Sequence, residues 1–177
     1  NIKRNKFLIN VLKIASGSTA ANIILLLASP FLTRIYTPVE FAALALFTSV
    51  TSVLYVSSTG RYELALMLPD KEEDAINILV LSMILPIIFA FLVILILVNI
   101  NYQDWQLFED IKIEGWFNLI PLSIILYAWH VSLLRWNSRK MLFKTLASSK
   151  VAYGATGAAT QVGMGYVFEP TRSIYLI

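Results

Sequence analysis

The chain reads as an all-α, polytopic membrane protein, and three observations carry that reading. Hydrophobic residues make up 58% of its 177 positions and charged ones only 14%, against roughly half and a quarter in soluble domains. The apolar residues gather into five runs long enough to cross a bilayer, near 15–33, 39–58, 75–98, 117–136 and 146–168. The basic residues sit in the connections between those runs, concentrated in alternate ones. That placement accounts for the net charge of +3 and argues against a nucleic-acid face. With no Cys and a single His, the chain offers neither disulfide nor thiolate chemistry and no ligand set for a metal. No cofactor is expected. The basic start leads into a helix without a small-residue cleavage site, so it does not read as a cleaved signal peptide.

Residues 1–14 interleave Lys3, Arg4, Lys6 and Lys13 with Phe7, Leu8, Val11 and Leu12. This pattern fits an interfacial amphipathic helix or a plain positively charged flank. In the first run, Ser18, Asn22, Ser29 and Thr33 fall on one helical face, which Leu25 shares. Pro30 is expected to kink or loosen that helix near its end. Thr37, Pro38 and Glu40 then spell a helix start, with Thr as N-cap, Pro at N1 and Glu closing a capping box. In the second run, Thr48, Ser52, Tyr55 and Thr59 share a face, and Thr51, Tyr55, Ser58 and Tyr62 give a neighbouring one.

The stretch 59–74, TGRYELALMLPDKEED, is a charged island between apolar runs. Its acids read as a helix start, with Asp70 as cap, Glu73 at N3, and Glu72 and Asp74 in the first turn. The third run is the most apolar and is expected to face lipid over much of its surface. Residues 99–116 are acidic (Asp104, Glu109, Asp110, Glu114), with Tyr102, Trp105 and Trp116 as interfacial aromatics. In the fourth run Ser123, Tyr127 and His130 share a face. The fifth holds Gly154, Gly157, Gly163 and Gly165, which suit close helix packing.

Threading five spans puts eleven of the fourteen basic residues on one side and leaves Arg34, Lys112 and Arg172 on the other. The N-terminus is therefore expected in the cytoplasm. The opening at Asn1 and the end in EPTRSIYLI suggest a fragment, with 169–177 an atypical tail.

Polar groups inside a membrane are the functional candidates. The Arg61 guanidinium at the mouth of a polar-lined cavity suits a bidentate grip on a phosphate or pyrophosphate; the plainer reading is an arginine snorkelling to the headgroups, paired with Glu63. Asn22 suits sugar hydroxyls or a neighbouring helix. The Ser and Thr stripes, with Ser18, Thr48, Ser52 and Tyr55, suit a hydrophilic lumen or interhelical hydrogen bonding. His130 suits a proton relay or a packing role. No nucleophile–base spacing, paired carboxylate on one helix or phosphate-cradling loop supports catalysis.

Two segments go further. SPFLTRIYTPVEFAALALF (29–47) followed by STGRYELALMLPDKEEDAINILVLS (58–82) resembles the N-terminal part of bacterial polysaccharide flippases. These are the Wzx-type O-antigen and lipopolysaccharide transporters of the multidrug/oligosaccharidyl-lipid/polysaccharide superfamily. The carrying motifs are the Ser-Pro-x-Leu-Thr-Arg-x-Tyr-x-Pro turn at 29–38, Gly-Arg-Tyr-Glu-Leu-Ala at 60–65, and Asp74-Ala75. LLRWNSRKMLFKTLASSKV (133–151) resembles the family's Asn-x-Arg-x-x-x-(Phe/Tyr)-Lys segment. The match covers about 15–165. Ala42 stands where the family often has Gly, and the tail from about Phe168 no longer resembles it.

The resemblance implies most of the N-terminal lobe of a two-lobed transporter of about a dozen spans or more, its C-terminal lobe lying outside this chain. It implies movement of an undecaprenyl-pyrophosphate-linked oligosaccharide from the cytoplasmic to the periplasmic face of the bacterial inner membrane by alternating access. Arg61, Asn22, Ser18, Thr48, Ser52 and Tyr55 would then meet substrate, and Glu63 and His130 are candidates for ion coupling. Other readings stay open. A drug or cation exporter of the same superfamily would want a buried acid in the first two runs, and neither contains one. A membrane polymerase or ligase would want Arg and His in a large periplasmic loop, whereas 99–116 is short and carries neither. A non-transporting assembly fragment is the third.

Overall fold

The structure is a computed structural model that describes residues 2–99 and 117–167, with side chains described mainly over 15–99 and 118–163. The acidic connection 99–116, apart from Asn99, and the tail from 168 lie outside the described residues. So do the side chains of Lys3, Arg4, Lys6 and Lys13. The described chain is all-α. It runs α1 (Ile2–Ile35), α2 (Pro38–Thr59), the short α3 (Tyr62–Ala65), α4 (Glu72–Asn99), a 3-10 turn (Phe117–Leu119), α5 (Ile120–Arg139) and α6 (Phe143–Val167). Among the described residues, three helical stretches are long and apolar enough to cross a membrane: Ala15–Ile35, Pro38–Thr59 and Glu72–Asn99. The remaining two predicted spans are also helices, α5 of 20 residues and α6 of 25. They do not join the three because they are less apolar: α5 carries His130, Arg135 and Asn137, and α6 beyond Lys150 is largely Gly, Ala, Thr and Gln.

The predicted interfacial segment 1–14 is not a separate element, since α1 runs unbroken from Ile2 through the first span. Pro30 does not end it either. Proline removes one backbone donor and crowds the preceding turn, but here the helix continues to Ile35.

Two compact units divide the chain, Asn1–Phe41 with Lys140–Ile177, and Ala42–Arg139, the boundary falling in the first turn of α2. In the first, α1 packs along α6 at very short range. A Cβ on Gly17 would lie 2.7 Å from the Cα and Cβ of Ala147, and one on Gly154 would lie 3.3 Å from the Ala21 Cβ. Lys150 Nζ donates to Ser18 Oγ at 2.8 Å, and Tyr36 OH donates to the Gln161 carbonyl at 2.8 Å. Partner numbers rise together along both helices, so they run parallel. Of the predicted packing glycines whose surroundings are described, only Gly154 makes this contact. Nothing approaches a Cβ on Gly157 or Gly163, and the side-chain position of Gly165 lies outside the described residues. The predicted capping box is formed. Thr37 N donates to Glu40 Oε2 at 2.6 Å, and Glu40 N donates to Thr37 Oγ1 at 3.4 Å.

The second unit is a bundle of α2, α4 and α5 around Ala43, Phe47, Val93, Ile120 and Ile124. Trp129 Nε1 donates to the Met83 carbonyl at 3.0 Å, and Ser82 Oγ donates to Ser132 Oγ at 3.1 Å. With Val93 clustered on Ile120 and Ile124, these contacts make α4 and α5 antiparallel. The inner face of α4 is small: Ala75, Ser82, Pro86, Ala90 and Val93 are buried. Its outer face carries Ile76, Val80, Leu81, Ile84, Ile87, Ile88, Phe91 and Leu92. Water would penalise this arrangement and a bilayer favours it, as the sequence predicts for this helix. The Asp70–Glu73 capping box does not form. α4 begins at Glu72, and Ala75 N donates to the Lys71 carbonyl at 3.4 Å, so the cap position falls on Lys71. Glu72, Glu73 and Asp74 do occupy the first turn, where the helix dipole favours acids.

A buried carboxyl at the end of the second helix

The inward face of α2 changes character along its length. Ala43 and Phe47 meet the apolar core, and one and two turns later Thr51 and Tyr55 follow, then Ser58 and Thr59. The four-residue spacing keeps one stripe facing inward. Beyond Thr59 the chain reverses in two successive left-handed residues, Gly60 (φ 52°) and Arg61 (φ 62°). Glycine adopts that conformation freely, whereas at Arg61 it costs about 1 kcal/mol. Arg61 N donates to Thr59 Oγ1 at 3.3 Å within the reversal.

The reversal folds Glu63 back onto α2. Glu63 as a whole is 1% exposed. Tyr55 OH donates to Glu63 Oε1 at 2.8 Å, and the Tyr127 ring from α5 meets the Tyr55 ring edge-on at 4.7 Å between centroids. Ser58 Oγ donates to the Tyr55 carbonyl at 2.8 Å. Glu63 Oε2 and Thr51 Oγ1 are buried, and neither has a hydrogen-bond partner among the described residues. A carboxyl oxygen can accept two hydrogen bonds, and leaving it unmet in a buried setting is costly. The site therefore has acceptor capacity for a proton-bearing group, a water, a sugar hydroxyl or a small cation.

The far side of the same turn is fixed by Arg139 at the end of α5. Its Nη1 donates to the Leu66 carbonyl at 2.9 Å and its Nη2 to the Pro69 carbonyl at 2.6 Å. Leu66 is the C-cap of α3 and Pro69 lies in the connection that follows, so Arg139 fixes the segment between α3 and α4.

The structure brings Tyr55 and Glu63 together. Thr48 and Ser52 do not share the buried face. Both are exposed, and their hydroxyls return to their own helix, on the Leu44 and Thr48 carbonyls at 2.9 and 2.6 Å. Burial follows the neighbouring stripe of Thr51, Tyr55 and Ser58, because the apolar anchors Ala43 and Phe47 lie in register with it. Tyr62 leaves that stripe at the reversal and is exposed. The Arg61–Glu63 pairing does not form. Tyr55 takes the carboxyl, and Arg61 is exposed. Ser18 and Asn22 belong to the other unit, where Ser18 accepts from Lys150 and Asn22 is exposed. His130 is half-buried on α5.

Thr51, Tyr127 and Arg139 were not among the sequence candidates for the site. Thr51 had a signal, its place in the second stripe. Arg139 had none, since its acceptors are backbone carbonyls. In the first two apolar runs the one acid is Glu40, in the capping box at the start of the second, yet folding supplies a buried one to that run from beyond its end.

No family model matches the chain, and neither a curated protein nor a solved structure matches it.

Proposed function

We propose that these helices form the N-terminal lobe of a flippase that carries undecaprenyl-pyrophosphate-linked oligosaccharide across the bacterial inner membrane, from the cytoplasmic to the periplasmic face. The supporting observation is that the Gly-Arg-Tyr-Glu motif, the core of the family resemblance, builds the buried polar site. Gly60 and Arg61 make the reversal and Glu63 meets Tyr55 beneath it. A sugar and a pyrophosphate need oxygen and guanidinium partners to cross hydrocarbon. This site has unmet oxygens inside and an exposed Arg61 at its edge. Alternating access against a second lobe would present it to each side in turn.

Helix direction supports five spans. α6 runs parallel to α1 beside its apolar stretch, and α5 runs antiparallel to α4, as strict alternation requires. Arg139 and the turn it binds share one end of the second unit with Arg61 and Lys71. That end suits the cytoplasmic side. In this mechanism Arg61 meets the pyrophosphate, and Glu63, held by Tyr55, couples the cycle to an ion.

The buried Glu63 also favours a second reading, export of a drug or organic cation by a transporter of the same superfamily. One experiment separates the two. The complete transporter, expressed in a strain lacking its own polysaccharide flippase, should restore surface polysaccharide. Arg61→Ala should reduce that restoration strongly at equal membrane abundance. Resistance to cationic dyes without restored polysaccharide would instead select the exporter, and normal polysaccharide with Arg61→Ala would remove Arg61 from the mechanism.

A further inference from the structure

Between Arg61 and Asp70 the chain reads YELALMLP, with Glu63 as its one charged residue. The structure turns this segment inside out. Glu63 and Leu66 point into the bundle at 1% and 0% exposure. Leu68, Met67, Tyr62 and Leu64 face outward, Leu68 at 80%. The inward positions are three residues apart, one turn of α3 and its continuation, so the two faces are set by the backbone. Arg139 locks them by holding the Leu66 and Pro69 carbonyls.

A turn at the end of a water-soluble bundle would place its carboxyl outside and its leucines inside. The reverse is stable where the surroundings are not water. We propose that residues 62–68 are an interfacial anchor whose partner is the lipid leaflet itself. Tyr62, Leu64, Met67 and Leu68 lie among the upper acyl segments, which puts Arg61 and Lys71, exposed on either side, at the depth of the lipid phosphates. Three observations select lipid as occupant. The outward apolar surface belongs to the same unit as the lipid-facing side of α4, which rises from this turn. The two cations flank the apolar segment as snorkelling residues do. Tyrosine at its edge has the amphipathic ring favoured at headgroup depth. The exposed Asp70, Glu72, Glu73 and Asp74 follow the apolar segment and mark where the chain meets water before α4 descends. This anchor rests on the membrane reading alone and is independent of what the protein transports.

The chain has no Cys, so single cysteines can be spin-labelled without background. Labels at Met67→Cys and Leu68→Cys, with Glu73→Cys as the water-level reference, would be compared in the full chain. The vesicles would be phosphatidylethanolamine with phosphatidylglycerol. Collision with oxygen should exceed collision with a water-soluble nickel chelate several-fold at 67 and 68, and the ratio should invert at 73. Equal nickel accessibility at 68 and 73 would put the turn in water and overturn the proposal. Shielding of 67 and 68 from both reagents would overturn it in favour of a protein cover. Both labelled sites are exposed, so loss of fold is not expected, and the reference label reports it independently.

Discussion

In the unit of α1 and α6, two parallel helices approach until Gly17 and Ala147 nearly touch through their backbones. Side chains contribute mainly near the ends, through Lys150 on Ser18 and Tyr36 on Gln161. In the unit of α2, α4 and α5 the helices are held apart by Phe47, Val93, Ile120 and Ile124. That spacing leaves room for Tyr55 and Glu63 to enter the interior, with the exposed Tyr127 ring edge-on to Tyr55. A seam closed by backbone contact excludes polar cargo. A bundle spaced by side chains can enclose polar atoms, including two with no partner among the described residues.

The sharpest way to break this contrast is Gly17→Leu. The seam has no room for a Cβ, so overpacking should cost about 1–3 kcal/mol or more. It should appear as lost α1–α6 cysteine cross-linking in vesicles. Arg139→Met should come next. It leaves the Leu66 and Pro69 carbonyls unmet, and hydrogen bonds to a charged donor are worth roughly 1.5–3 kcal/mol. Faster hydrogen exchange confined to 62–70 would register it, and unchanged exchange there would deny Arg139 its clamping role.

Tyr55→Phe removes the one donor to this buried carboxyl among the described residues, for which about 1–3 kcal/mol is expected in chemical unfolding. In a double-mutant cycle with Glu63→Leu, the two effects should be strongly non-additive. Additive effects would mean that the pair does not act together. Thr51→Val removes a hydroxyl with no partner among the described residues, so stability should be unchanged or slightly higher. A fall in transport without a fall in stability would assign Thr51 to the cargo or ion. The smallest effect belongs to Gly157→Ala, where no neighbour lies within 4 Å. A change within about 0.5 kcal/mol is expected, and anything larger would extend the tight seam along α6.

Much of the fold is legible from local pattern. Apolar runs mark the helices, and Thr37-Pro38-Glu40 places the start of α2 because a capping box needs only four adjacent residues. The Asp70 cap was misplaced by one residue for a non-local reason. Arg139, seventy residues away from Pro69, holds the approach to α4. The candidate site was legible in part. Tyr55 and Glu63 could be singled out, but their partnership could not. Nor could the exposure of Thr48 and Ser52, since two polar stripes on one helix look alike until a neighbour covers one.

The sequence by itself determined an all-α membrane chain, the order of its helices and the local signals that begin them, because these depend on periodicity and on contacts within a few residues. Only the tertiary structure decided which stripe of α2 is buried, which glycine is a contact, and that the acid outside the second apolar run ends up against it. Those outcomes depend on which surfaces meet, and a left-handed reversal at Gly60 and Arg61 changes the direction of every side chain beyond it.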